Sequence, residues 1–260
     1  MPHHTTDDGC RLAFSIDGHP GAAALVLSNS LGTDRTLWDR QIETYADRFR
    51  VLRYDTRGHG ESDAPAGGYT MEQLGKDVLS LMDAAGMASA HVCGVSIGGM
   101  TALWLGLYAP ERVSRLVLAN TAARIGSVEI WNERIRIATT DGVTALADAA
   151  MTRWFTPAFH ASEPKTVARF RAIMSGVPAA GYVGCSVALR DADFRGVAAN
   201  VRAKCLVVTG THDPATPPED GAWLAKTIPA ATLVELDAAH ISNVERASEF
   251  TDSVCAFLLA

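Results

Sequence analysis

The sequence has no CxxC pair: its five cysteines (Cys10, Cys93, Cys185, Cys205 and Cys255) are odd in number and scattered. That usage excludes a cysteine-based metal framework and a disulfide scaffold, and it predicts free thiols in a reducing compartment. HxH and HExxH spacings are missing as well, so no metal site is expected. Long hydrophobic runs are also missing. Apolar runs such as residues 22–27 are far too short to cross a bilayer, and no membrane partner is expected. The first nine residues hold two Asp and two His but no apolar stretch, so no signal peptide is expected and the expected address is the cytoplasm. Nor is there an excess of base. A net charge of −6 argues against nucleic acid or an acidic membrane surface as the main partner.

What remains is the balance of an ordinary globular chain, 48% hydrophobic and 20% charged, and 260 residues can bury a large core without staples. Short β-branched or Leu-rich runs bounded by Gly, Asp or Asn predict buried strands of a mainly parallel sheet at 24–28, 50–54, 91–95, 113–119, 205–209 and 232–236. Helical patterns lie between them. Thr70 and Gln73 form a capping box for a helix whose apolar face is Met71, Leu74, Val78, Leu81 and Met82, with Gly86 placed to end it. Ser242 and Glu245 are expected to cap a last helix that buries Phe250, Val254, Phe257 and Leu258. Alternating strands and helices mean an α/β fold.

The alternation breaks after Asn120. Between Arg124 and Arg195 no strand is evident, but Trp131, Trp154, Phe155, Phe159 and Phe170 are there. The division expected is a core of residues 1–120 and 200–260, with 121–199 as a helical cap over the sheet's C-terminal edge. Nine basic residues against seven acids give the stretch 124–195 a charge of +2, which leaves −8 for the remainder.

Gly94-Val95-Ser96-Ile97-Gly98 matches the GxSxG nucleophile elbow. By composition alone such a match arises on the order of 0.1 times per chain, so the context has to decide. Here a strand ending at Val95 and a helix from Ile97 put Ser96 on the tight turn between them. A structural Gly-rich turn is the competing reading. A serine hydroxyl needs a base held against it, and in the fold that carries this elbow an acid and then a histidine follow in chain order. Asp213 lies just past the strand at 205–209 and His240 just past that at 232–236, on loops at the edge where Ser96 emerges. Asp237 is the rival acid, three residues from His240 and expected as a turn residue. His212, His59 and His91 are the rival bases. His91 is expected to be structural, His59 to line the pocket, and His3, His4, His19 and His160 to lie at the surface. An oxyanion needs two N–H donors, expected from Ile97 and from Leu31 in the loop after the first of these strands.

These residues resemble the α/β-hydrolase superfamily along nearly the whole chain. Closer still is the resemblance to the 3-oxoadipate enol-lactonases of aromatic-acid degradation, carried by Ser28-Asn29-Ser30-Leu31-Gly32-Thr33-Asp34, Tyr54-Asp55-Thr56-Arg57-Gly58-His59-Gly60 and the elbow. Further matches are Gly181-Tyr182 leading to Ala188-Leu189-Arg190-Asp191-Ala192-Asp193, then Gly210-Thr211-His212-Asp213-Pro214-Ala215-Thr216-Pro217 and Ala239-His240-Ile241-Ser242-Asn243-Val244-Glu245. Cys185-Ser186 departs from the two adjacent cysteines of that pattern. The resemblance implies an eight-stranded, mostly parallel sheet flanked by helices, with the cap inserted after the sixth strand. It also implies a small anionic enol-lactone as substrate, opened through Ser96, His240 and Asp213 without a cofactor. Trp131, Arg134, Trp154 and Arg190 are the expected substrate contacts of the cap. Small carboxylesterases, cofactor-free haloperoxidases and carbon–carbon bond hydrolases share this triad, and a ligand-binding receptor could be built on the same fold. The oligomeric state, homo-oligomer or monomer, is not fixed by the sequence.

Overall fold

A computed structural model describes residues 2–260. Its sheet has eight strands: β1 (His3–Thr5), β2 (Arg11–Asp17), β3 (Ala24–Ser28), β4 (Arg50–Tyr54), β5 (Ala90–Val95), β6 (Val113–Ala119), β7 (Lys204–Gly210) and β8 (Ala231–Leu236). Their order across the sheet is β1-β2-β4-β3-β5-β6-β7-β8. The pairings β1–β2 and β2–β4 are antiparallel and the rest are parallel. All strands from β3 to β8 therefore end at one edge, and the loops leaving them converge there.

The central strands β3, β5, β6 and β7 are almost wholly buried, as their unbroken apolar runs require when helices cover both faces. β8 closes the far edge and is largely exposed or half-buried, with only Leu236 buried. Before the cap, the sheet carries α1 (Ile42–Ala46), α2 (Met71–Ala84) and α3 (Ile97–Tyr108). α2 has the capping box Thr70–Gln73 and buries Met71, Leu74, Val78, Leu81 and Met82, while Gly86 turns the chain at φ 65°. α3 is apolar all round because it is buried against β5, β6 and α2.

Five helices intervene between β6 and β7: α4 (Val128–Thr140), α5 (Thr144–Trp154), α6 (Pro157–Ser162), α7 (Pro164–Ser175) and α8 (Ala179–Asp191). Aromatic residues of this segment pack on one another and join the main hydrophobic core, with Trp154 edge-on to Phe170 at 6.4 Å and Phe155 stacked on Phe159 at 4.9 Å. The chain then returns through β7, α9 (Pro218–Thr227), β8, the single turn α10 (Ser242–Glu245) and α11 (Ala247–Leu259). Among the described residues, no single helix is long and apolar enough to cross a membrane.

One expected element is corrected. Ser242 and Glu245 do not cap the last helix, which starts at Ala247 with no side-chain cap. The Ser242 hydroxyl donates instead to Asn120 Oδ1 at 2.5 Å, and the Glu245 carboxylate accepts from the Ala239 N–H at 2.9 Å and from Thr156. Tertiary partners outbid the local motif. His160, expected at the surface, is half-buried, its Nε2 hydrogen-bonded to the Met151 carbonyl at 3.0 Å, and His4 is half-buried against the Ser80 hydroxyl.

Candidate active site

β5 delivers the backbone straight into Ser96, which has φ 60° and ψ −119° before α3 begins. A non-glycine residue at positive φ costs about 1–3 kcal/mol and persists only where its surroundings over-determine it. The surroundings are backbone. A Cβ on Gly94 would lie 2.1 Å from the Gly98 carbonyl oxygen, and one on Gly98 would lie 2.3 Å from the Ser28 carbonyl oxygen. Both glycines are needed for strand, turn and helix to approach this closely. The Ser96 N–H donates to the Ala119 carbonyl at 3.0 Å, and the Thr121 hydroxyl to the Ser96 carbonyl at 2.7 Å.

Asp213 leaves the end of β7 and His240 the end of β8. His240 Nδ1 lies 2.8 Å from Asp213 Oδ2, and both side chains are buried. The carboxylate is satisfied on every side. Oδ1 accepts from the Ala215 and Thr216 N–H groups at 2.8 and 3.0 Å, while Oδ2 also accepts from the Thr216 hydroxyl at 2.7 Å and Asn120 Nδ2 at 3.1 Å. Burial alone would raise the Asp213 carboxyl. The His240 charge and hydrogen bonds from His240 and Thr216 outweigh it and leave the group below the ordinary carboxylate value. With Nδ1–H given to Asp213, the Nε2 edge of His240 is left for Ser96, and both residues line one cavity. Asp237 is elsewhere: exposed, it pairs with His212 at 2.9 Å and Arg246 at 2.6 Å.

The oxyanion candidates sit at the same edge. Leu31 lines the cavity, and Ile97 is the first residue of α3, where an N–H has no intrahelical acceptor. Among the described residues neither N–H has a protein acceptor. The loop carrying Leu31 is pinned from below, because the Gly32 N–H donates to His59 Nε2 at 3.0 Å. His59 is fully buried, and burial pushes its imidazole down to about 4, opposed by its bond to the Arg57 carbonyl.

The cavity, about 400 Å³, is roofed by the cap: Trp131, Arg134, Arg153, Trp154 and Tyr182 face Ser96 and His240 across it. Arg134 lies over the Trp131 ring at 4.7 Å. Arg134 and Arg153 are the two cap arginines with no carboxylate within ion-pair distance among the described residues. Arg124, Arg136, Arg169, Arg171, Arg190 and Arg195 all have one. Burial and the nearby Arg134 charge lower the Arg153 guanidinium from its ordinary value. The cavity therefore joins a hydroxyl, an imidazole–carboxylate pair and two uncompensated cations, a set that fits acyl transfer on an anionic substrate.

Comparison with known proteins agrees with this geometry. Residues 23–247 match the α/β hydrolase fold family. The chain belongs to the α/β-hydrolase family. It is 40% identical to 3-oxoadipate enol-lactonase 2 of Acinetobacter baylyi, over 94% of this chain and 91% of that one. With 3-oxoadipate enol-lactonase 1 of the same organism it shares 36% over 98% and 95%. The crystal structure of the enol-lactonase from Burkholderia xenovorans LB400 superposes with a TM-score of 0.98 at 46% identity, covering 100% of both chains.

Within this hydrolase the expected site residues divide. Ser96, His240, Leu31, Trp131, Arg134 and Trp154 line the cavity, with Asp213 and Ile97 buried beside it. Arg190 does not line it. Its guanidinium is bonded to Asp191 at 2.7 and 2.9 Å and to Asn132 of α4 at 3.3 Å. His59 does not line it either, but lies beneath the loop that carries Leu31, and His91 packs edge-on against Phe49 at 6.0 Å. Sequence reasoning missed Asn120, which holds Asp213, and Arg153 and Asp220, which line the cavity; Thr216, a second partner of Asp213, and the cavity-lining Tyr182 stood in the matching motifs but were given no role. For Asn120 there was a signal: a polar residue ending the apolar run of β6.

Proposed function

We propose that this hydrolase opens a small enol-lactone bearing a carboxylate arm, 3-oxoadipate enol-lactone, to give 3-oxoadipate. The observation that carries the reading is the pair of unpaired cap arginines, Arg134 and Arg153, in the cavity that holds Ser96 and His240. A guanidinium binds a carboxylate through two parallel hydrogen bonds, which would aim the ring carbonyl at Ser96. The names of the two Acinetobacter relatives support the same substrate.

In this mechanism Ser96 Oγ attacks the ring carbonyl while His240 takes its proton, and Asp213 holds the imidazole in place and stabilises the imidazolium. The N–H groups of Leu31 and Ile97 receive the oxyanion, each such donor accounting for about 10²–10³ in rate. Collapse expels the ring oxygen as an enol, protonated by His240, and the enol tautomerises to the ketone. Water activated by His240 then hydrolyses the acyl-Ser96 ester. The balance is lactone plus water to keto-diacid, so no cofactor is needed. The cytoplasmic address expected from the cysteine usage belongs to the same proposal.

Purified protein mixed with freshly generated lactone should remove the lactone's ultraviolet absorbance, and Ser96→Ala should abolish this. Turnover of a neutral chromogenic ester without turnover of the lactone would make the protein an esterase of other specificity. Turnover of neither, with retained ligand binding, would make it a binding module.

A further inference from the structure

Asp220 lines the cavity but belongs neither to the triad nor to the arginine pair. It stands in the first turn of α9, directly after the loop that carries Asp213 and the cavity-lining Pro214, Ala215 and Pro217. Its carboxylate has no hydrogen-bond or ion-pair partner among the described residues, although the cavity it lines holds two free guanidiniums. Burial, with the charges of Glu219 and Asp213, raises it above the ordinary carboxylate value, so it lies within electrostatic reach of the triad acid. The cations stand across the cavity on α4 and α5, where the charges of both act on Tyr182. One wall of the cavity is cationic and belongs to the cap. The wall beside the triad carries an uncompensated anion.

We infer that Asp220 sets the charge selectivity of the site by rejecting a second carboxylate beside Ser96, so that the monoanionic lactone is held and the dianionic product is released. The inference rests on the reading of Arg134 and Arg153 as the seat of the substrate's carboxylate. Hydrolysis converts the uncharged ring carbonyl into a carboxylate next to Ser96 while the arm still lies against the arginines. The negative charge of Asp213 is matched there by His240, Thr216 and Asn120, whereas that of Asp220 is matched by nothing. The new carboxylate therefore meets a like charge in a partly desolvated site, and that repulsion lowers its affinity.

The test uses adipate, hexanoate and hexanamide, which share six carbons and differ in charge, as competitive inhibitors of neutral-ester hydrolysis. In the wild-type protein hexanoate should bind better than both. Asp220→Asn should tighten adipate by roughly tenfold while hexanoate moves less than about twofold, and Asp220→Glu should keep the wild-type discrimination. Hexanoate affinity in each variant also reports that the cavity is folded. If adipate does not tighten in Asp220→Asn, or tightens no more than hexanoate, the inference is overturned. If wild-type protein binds hexanoate no better than hexanamide, it is the arginine reading that fails.

Discussion

At the sheet edge Asp213 is bonded to His240, Thr216, Asn120 and two backbone N–H groups, while in the cap Arg134 and Arg153 face a cavity with no carboxylate against either. The two regions contribute different things. A fully satisfied polar network fixes geometry, since each lost partner leaves a buried charge exposed to its own desolvation cost. An unpaired cation at a cavity wall fixes nothing by itself and is available to a ligand. In this fold the core would supply the acyl-transfer chemistry and the cap the choice of substrate. The regions are tied mechanically. The Ile241 N–H donates to the Trp154 carbonyl at 3.1 Å, and Glu245 bridges the His240 loop to Thr156, so the cap is built onto the loop that carries His240.

The comparison breaks most visibly if the triad is not a unit. Replacing Ser96 or His240 by Ala should lower kcat on lactone and neutral ester alike by about 10⁴-fold or more, and the double variant should cost little beyond either single one. Asp213→Asn should fall steeply as well. Asp237→Asn should stay near wild type, because Asp237 is exposed and paired with His212 and Arg246. Steady-state kinetics on the five variants checks this, and a larger loss in Asp237→Asn than in Asp213→Asn would reassign the acid.

The next effect concerns the support of the loop that carries Leu31. His59 takes up its proton only near pH 4 in the folded protein, against an ordinary value of 6.5. Between those values the unfolded chain binds the proton and the folded chain does not, so stability is complete above about pH 6.5 and falls as the pH drops toward 4. The contribution lost is about 3 kcal/mol. Urea unfolding of wild type and His59→Gln at several pH values should show the variant's deficit shrinking by about that amount as the pH falls. A constant deficit would mean that His59 is not held neutral.

A smaller effect is expected at Thr216. Thr216→Val removes a hydroxyl donor from Asp213 and should lower kcat/KM about tenfold on both substrates, the worth of a hydrogen bond to a charged group. The smallest is at Arg190. Its ion pair with Asp191 is exposed, and such pairs contribute about 0–1 kcal/mol, so Arg190→Met should change neither substrate by more than about twofold. A selective loss on the lactone would move the carboxylate seat to α8.

What could be read before the structure was what is local in the chain. The elbow was legible because Gly94, Ser96 and Gly98 act within five residues, and the central strands because burial on both faces leaves an unbroken apolar run. β1 and β2 were not read as particular strands. They pair antiparallel at the edge, and His3-His4-Thr5 has no apolar face to betray it. Asp213 and Asp237 were both plausible partners for His240 by position, and only the paths of their loops separate them. Arg153 was one arginine among eight in the cap. Its distinction is the absence of a partner, which depends on where seven acids from several helices fall and is written in no short stretch of sequence. Arg190 was overvalued for the converse reason: the motif around it supplies Asp191, which takes up its charge.

The division of labour between core and cap is tested most directly by the double variant Arg134→Met/Arg153→Met, assayed in parallel on the enol-lactone and on a neutral ester without the carboxylate arm. The account predicts that kcat/KM for the lactone falls at least about 100-fold while that for the neutral ester stays within about threefold, since only the charged arm loses its partners. Equal losses on both substrates, or no loss on either, would contradict it.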